Sequence, residues 1–265
     1  MFPGFFLFDK YISSYVITSL VGIFTACPLA IYRYKKRGGN DISMIFVFLF
    51  GGIGCMVGMH LLYGITNIQQ WGRLFAAPDF GEWWDAAQTI FGGAVFYGGL
   101  IGGLAAGFLS IRYQKLDSSE VSDCAAPSIA LFHMFGRIGC FLGGCCYGVE
   151  WEHGITFTDS LIAGANGVPR VPVQLYEAGF ELALFLLLSL LFVRGKLKGK
   201  LLAVYLLVYP VGRFILEFWR GDDYRGFLFG LSTSQLISIA LFAGTIVFLT
   251  VSAVKKRRTP MTISE

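Results

Sequence analysis

The sequence predicts an all-α integral membrane protein of seven transmembrane helices, with its N-terminus outside and its C-terminus in the cytoplasm. Three observations predict it. The 265 residues are 55% hydrophobic and only 14% charged, against about 25% charged in an ordinary soluble domain, and the mean hydropathy is +0.64. Apolar stretches of roughly 20 residues, enough to cross a ~30 Å hydrocarbon core, recur along the chain. Basic residues crowd alternate loops, as the positive-inside rule requires of a multi-pass protein.

The first span, about 13–32, begins at Ser14 and Tyr15 and is followed by Arg33, Lys35, Lys36 and Arg37, which mark the cytoplasmic side. Met1–Lys10 before it is aromatic and lacks a basic n-region, and no small-residue cleavage site follows, so no signal peptide is expected. The second span, about 42–62, leads to a long segment, 62–89, that mixes Trp71, Phe75, Phe80, Trp83 and Trp84 with Asp79, Glu82 and Asp85. That mixture predicts an interfacial arm along the outer headgroups, either a generic aromatic belt or a gate over a lateral lipid entrance.

The third span, about 90–111, returns to Arg112 and Lys115. Its run Phe96-Tyr97-Gly98-Gly99-Leu100-Ile101-Gly102-Gly103 places small residues four apart. Such a stripe is first a close-packing helix surface and second a place for a ligand's headgroup, which Tyr97 at the outer end is positioned to hydrogen-bond.

The fourth span, about 121–142, ends outside in Gly136-Arg137-Ile138-Gly139-Cys140 and then Gly143-Gly144-Cys145-Cys146. Its glycines predict that the helix breaks after about Gly143, into backbone that lines a cavity. A polar segment, 149–171, with His153, Thr156, Thr158, Asp159 and Asn166 suits a small outer cap without catalytic spacing. The fifth span, about 174–193, delivers Arg194, Lys196, Lys198 and Lys200. The sixth is about 201–219, and the seventh, about 231–253, ends at Lys255, Lys256, Arg257 and Arg258. The four basic loops hold 14 of the 21 basic residues. The net charge of +4 is this cytoplasmic excess and implies no nucleic-acid partner. No linker or repeat is evident, so 1–265 reads as a single membrane domain.

Of the seven remaining basic residues, those inside spans carry the chemistry, because a charged side chain there costs roughly 2.5–3.5 kcal/mol and needs a partner and a purpose. Arg137 has no acidic neighbour within a turn, so it must find one across helices or face a water-filled cavity. On the sixth span, Tyr209, Arg213, Glu217 and Arg220 share a face at ~100° per residue, and Arg213 and Glu217, four apart, can pair. Two Arg to one Glu leaves a positive surplus suited to an anion; the alternative is a self-compensating pair at the membrane boundary. The guanidinium fork matches phosphate oxygens bidentately.

Cys27, Cys55 and Cys124 read as small apolar fillers, and His60 and His133 as single polar groups that tie helices together. Cys140, Cys145 and Cys146 cluster near the outer face, open to packing, to contact with substrate or to a disulfide. No zinc spacing is present, so neither a metal nor a cofactor is expected.

In these residues the chain resembles the prolipoprotein diacylglyceryl transferase family of bacterial membranes. The resemblance covers nearly the whole chain: Ser14-Tyr15, Gly98-Gly99-Leu100-Ile101-Gly102, Ser122-Asp123 with Ala126-Pro127, Gly136-Arg137-Ile138-Gly139, Pro172-Val173-Gln174-Leu175-Tyr176-Glu177, Tyr209 to Arg220, and Ser234-Gln235. It implies a multi-pass protein of the bacterial cytoplasmic membrane. The implied reaction moves the sn-1,2-diacylglyceryl group from phosphatidylglycerol to the lipobox cysteine of a prolipoprotein and releases glycerol phosphate. It implies essential roles for Arg137 and Arg213, with substrate contacts at Tyr15, Asp123, Tyr209, Glu217 and Arg220, beside the headgroup place that the stripe itself offers at Gly98 and Gly99. Tyr97 stands where the family has its usual His, and Cys140, Gly143 and Cys145 replace its Asn, Asn and Glu. The base is then another group, or the donor phosphate takes the proton, or the acceptor is a sugar, small molecule or other non-lipoprotein group. A lipid binder or transporter without catalysis is the reading from a different class.

Overall fold

The computed structural model describes residues 2–160, 162–222 and 227–258, and the side chains of all of these save residues 96, 97, 228 and 255–258. The chain forms two compact units, one of residues 1–30 with 122–265 and one of residues 31–121. Both divisions fall inside helices, α1 (Ser14–Lys36) and α6 (Ser118–Gly143), where composition carries no boundary signal.

The fold is all-α in the main. Among the described residues, six helices are long and apolar enough to cross a membrane: Ser14–Lys36, Asp41–Thr66, Ser118–Gly143, Val173–Val193, Leu201–Trp219 and Thr233–Val254. Small antiparallel hairpins accompany them. The first, β1 (Gly4–Leu7) with β2 (Lys10–Ser13), turns through Phe8 and Asp9 at φ +45° and +59°, the left-handed pair that a two-residue hairpin turn requires.

In the 31–121 unit, α2 (Asp41–Thr66) packs on α5 (Phe96–Tyr113) through glycines of both helices. A Cβ on Gly102 would sit 3.0 Å from the Gly58 Cα and closer still to the Gly54 carbonyl oxygen. A Cβ on Gly98 would lie 2.6 Å from the Leu62 Cβ, and one on Gly99 would lie 3.0 Å from the Cys55 Sγ. The missing side chains of Gly98 and Gly99 are thus filled by α2, the close-packing use of the stripe. Gly102→Val should force the helices apart and destabilise the protein by about 1–3 kcal/mol. Gly52→Val, where a Cβ meets nothing within 4 Å, should leave thermal unfolding in detergent unchanged.

The expected third span, 90–111, is displaced. The preceding segment folds as a 3₁₀ turn (Ile68–Gln70), α3 (Gly72–Ala76) and α4 (Phe80–Phe91), and the helix breaks before restarting at Phe96. Uniform apolarity hides this break from a hydropathy reading. Asp79 caps α4 by accepting from the Glu82 N–H at 2.9 Å, and the His60 Nδ1–H donates to the Phe91 and Gly93 carbonyls at 2.8 and 2.9 Å just past its end. Helix α4 buries Ala86 and Ile90 and exposes Phe80, Trp83 and Trp84.

In the other unit, α7 (Val173–Val193), α8 (Leu201–Leu216, continued by a 3₁₀ turn to Trp219) and α9 (Thr233–Arg258) join α6. The 149–171 segment forms β3 (Glu150–Thr156) paired with β4 (Pro169–Arg170) over a small core of Tyr147, Phe157 and Ala165. Arg170 lies over the Tyr147 ring at 4.6 Å and donates to the Gly164 carbonyl at 2.9 Å. A third hairpin, β5 (Phe227–Leu228) with β6 (Leu231–Ser232), leads into α9.

Candidate functional site: a guanidinium pair on a shared carboxylate

Helix geometry builds the site as a ladder between α6, α7 and α8. His133, Arg137 and Cys140 recur at four and three residues on one face of α6, and Glu181, Glu177 and Gln174 do so on α7. At the first rung the His133 imidazole meets Glu181 Oε1 at 2.7 Å, and Tyr205, at 3.2 Å from His133, donates to the same carboxylate at 3.4 Å. Tyr209 stacks parallel on Tyr205 at 5.4 Å and tilts against His133 at 5.0 Å.

The second rung is the centre of the site. Glu177, fully buried, holds Arg137 at 2.9 Å and Arg213 at 3.7 Å through the same oxygen, Oε1. Arg213 also pairs with Glu217 at 2.6 Å across one helical turn, as its spacing predicts, and donates to the Ser234 hydroxyl of α9 at 3.1 Å. Arg137 Nε and Glu177 Oε2 are buried without a hydrogen-bond partner among the described residues, so a guanidinium donor remains available for a further acceptor.

The third rung is the end of α6. Gly144 lies at φ +74°. Its N–H reaches the Phe141 carbonyl at 3.2 Å, and the Cys145 N–H reaches the Cys140 carbonyl at 3.1 Å, the paired bonds of a Schellman cap. The helix therefore ends where the glycines predict. Gln174 donates to the Cys145 carbonyl at 2.7 Å, and the three thiols of Cys140, Cys145 and Cys146 come within 4.8 Å of one another, all free. Beyond them, Val149 N–H bonds the Trp219 carbonyl at 2.9 Å and Gly221 N–H the Tyr147 carbonyl at 3.0 Å, so the chain leaving α8 runs beside the chain leaving α6. Gly221 is required by this approach: its Cβ would lie 2.5 Å from the Gly148 oxygen.

Arg220 does not continue the α8 stripe with Arg213 and Glu217, because the regular helix stops at Leu216. It lies in that paired segment instead, bidentate on Asp222 at 2.9 and 2.7 Å. Burial opposes its charge, and the Asp222 carboxylate more than offsets this, raising its pKa. Hydrogen bonds from the Cys140 and Cys145 thiols, with Arg220 and Arg137 nearby, hold the Cys146 thiol well below the usual thiol range.

The positive surplus expected from the sixth span alone is not present. Glu177 and Asp222 add carboxylates to Glu217, so Arg137, Arg213 and Arg220 face three acidic partners. Glu177, Glu181 and His133 were not singled out as site residues by sequence reasoning. The available signal was two carboxylates four apart in an otherwise apolar span, each of which needs a partner.

Among the sequence-predicted site residues, the ladder brings together Arg137, Arg213, Tyr209, Glu217, Cys140 and Cys145. Tyr15 joins them: its ring lies against Gly139, with 3.0 Å from Cδ2 to a Cβ built there, and its phenol is within electrostatic reach of Arg137, Cys140 and Cys145. Asp123 is not among them. It lies near the other end of α6, 14 residues from Arg137, where its carboxylate accepts the Leu201 N–H at 2.9 Å and the Gly199 N–H at 2.5 Å. There it caps the first turn of α8 and complements the helix dipole. Gly98 and Gly99 belong to the other unit and its helix packing, and the side chain of Tyr97 lies outside the described residues.

Comparison with known proteins gives a family match over residues 4–251, described as prolipoprotein diacylglyceryl transferase. A phosphatidylglycerol–prolipoprotein diacylglyceryl transferase 2 of Clostridium perfringens is 36% identical over 259 residues, 95% of either chain. Phosphatidylglycerol–prolipoprotein diacylglyceryl transferases of Clostridium tetani, 36% identical over 92% of this chain and 95% of its own, and of Dehalococcoides mccartyi, 32% identical over 88% and 86%, are similar in the same way.

Proposed function

The chain belongs to the prolipoprotein diacylglyceryl transferase family, and we propose that it transfers the sn-1,2-diacylglyceryl group of phosphatidylglycerol to a prolipoprotein cysteine, releasing glycerol phosphate. It is a multi-pass protein of a bacterial cytoplasmic membrane. In this reading α5 is the third of seven spans, the N-terminus lies outside, α3 and α4 form the interfacial arm, and residues 149–171 cap the outer side of a single membrane domain.

The observation that carries the reading is the guanidinium pair on Glu177, with a buried Arg137 Nε that makes no hydrogen bond among the described residues. Glu177 fixes both guanidiniums in orientation. The donor phosphodiester binds the free edge of Arg137 and the neighbouring Arg213, and charge growing on the departing phosphate oxygen is stabilised by donors already in place. Glu217 and Ser234 hold Arg213 in that position, and Tyr15 and Tyr209 flank the lipid headgroup. Tyr97, which stands where the family has its usual His, is a poor base at pH 7, since a phenol has an ordinary pKa of about 10, so a hydrogen-bond donor is the role its chemistry allows.

Purified protein in phosphatidylglycerol-containing micelles should add one diacylglyceryl mass to a lipobox peptide and none to its Cys→Ser counterpart. Glycerol phosphate release without modification of the thiol peptide would redirect the reading to another acceptor.

A further inference from the structure

We propose that Cys140, Cys145 and Cys146 bind one zinc ion and leave its fourth position open, and that this position takes up the acceptor thiol as a thiolate. The inference rests on the transferase reading above and supplies a step that the arginine pair does not.

The spacing Cys-x₄-Cys-Cys resembles no zinc pattern, and the backbone is what makes it a site. The Schellman cap at Gly144 and the left-handed Cys146, at φ +58°, reverse the chain at the end of α6. The adjacent thiols of Cys145 and Cys146 are thereby turned back onto Cys140 until the three Sγ atoms lie within 4.8 Å of one another. Zinc–sulfur bonds of ~2.3 Å set tetrahedral sulfurs about 3.8 Å apart, so closure asks for movements of about 1 Å. Gln174 fixes the loop through the Cys145 carbonyl. Among the described residues the group contains three ligands and no fourth; four protein ligands mark structural zinc, and three with an open place mark reactive zinc. Three thiolates on Zn²⁺ carry a net charge of −1, and a fourth makes it −2; Arg220 and Arg137 act on this cluster electrostatically while remaining paired with Asp222 and Glu177.

Such a centre supplies the acceptor thiolate. A free cysteine thiol has a pKa of about 8.5 and is mostly protonated at neutral pH, and guanidiniums cannot accept its proton. A thiol coordinated to zinc is deprotonated outright. On binding, the acceptor S–H loses its proton to water. The sulfur electron pair then forms the C–S bond to the glyceryl carbon as the C–O bond to phosphate breaks, with that pair leaving on glycerol phosphate. Nothing is oxidised or reduced, and the product thioether, a neutral and weaker ligand, leaves the zinc.

The full chain, purified in detergent under reducing conditions, should bind one zinc per molecule, and Cys140→Ser and Cys146→Ser should lose it. Because those variants can also misfold, the decisive measurement uses the unaltered protein with cobalt(II) in place of zinc. It should show the visible absorption of a tetrahedral thiolate site, and a lipobox peptide should strengthen the thiolate-to-cobalt band where its Cys→Ser form does not. Failure of the unaltered protein to bind zinc or cobalt overturns the proposal, as does a cobalt spectrum indifferent to the peptide thiol. Metal and thiol binding without any diacylglyceryl product would leave the site standing and remove the transferase reading instead.

Discussion

Arg137→Ala should lower the rate of glycerol phosphate release by roughly 10²–10³-fold, the usual cost of removing one donor that stabilises a developing oxyanion. The fold should survive. Arg137 is bonded to Glu177, and when it is removed that carboxylate keeps Arg213 at 3.7 Å, so it still faces a guanidinium, one shared with Glu217. Thermal stability in detergent should therefore fall by less than in Glu177→Ala while the rate collapses. Arg137→Lys should recover only part of the rate, because an ammonium keeps the charge but not the planar fork. An unchanged rate in the alanine variant would remove the guanidinium from the chemistry.

Glu177→Ala has the opposite signature. It removes the carboxylate shared by two buried guanidiniums and leaves Arg137 without its acidic partner, a loss of about 3–5 kcal/mol for a broken buried ion pair. Thermal stability should fall far more than in Arg137→Ala. Added inorganic phosphate should restore more of it than it adds to the unaltered protein, because an anion can occupy the vacated place between the guanidiniums. Equal effects of phosphate on the two proteins would mean that Glu177 does not hold the anion site.

Much of the site was legible in the sequence because a charge in an apolar run demands an explanation. Arg137 and Arg213 stood out on that ground alone, and the pairing of Arg213 with Glu217 follows from helical spacing. The end of α6 could be read from its glycines, and the sixth span agrees with Leu201–Trp219. The charge balance was not legible. Counting within one helix gave a surplus, whereas the neutralising carboxylate of Glu177 arrives from α7, 40 residues after Arg137. Arg220 was misplaced for a related reason: helical periodicity was extended past Leu216, where the backbone leaves the helix to pair with the segment after α6. The break between α4 and α5 lies in a stretch apolar on both sides, so hydropathy could not see it. The convergence of three cysteines depends on positive φ at Gly144 and Cys146, which spacing does not reveal.

The central claim is that the arginine pair stabilises a phosphate that leaves as its bond to the diacylglyceryl carbon breaks. Phosphatidylglycerol labelled with one isotope in its acyl chains and another at phosphorus tests it most directly. With a lipobox peptide present, the acyl label should move to the peptide and the phosphorus label to the water-soluble fraction, in equal amounts, and Arg137→Ala should slow both by the same factor. Phosphorus on the peptide, or acyl label released as free fatty acid, would place the broken bond elsewhere and contradict the account.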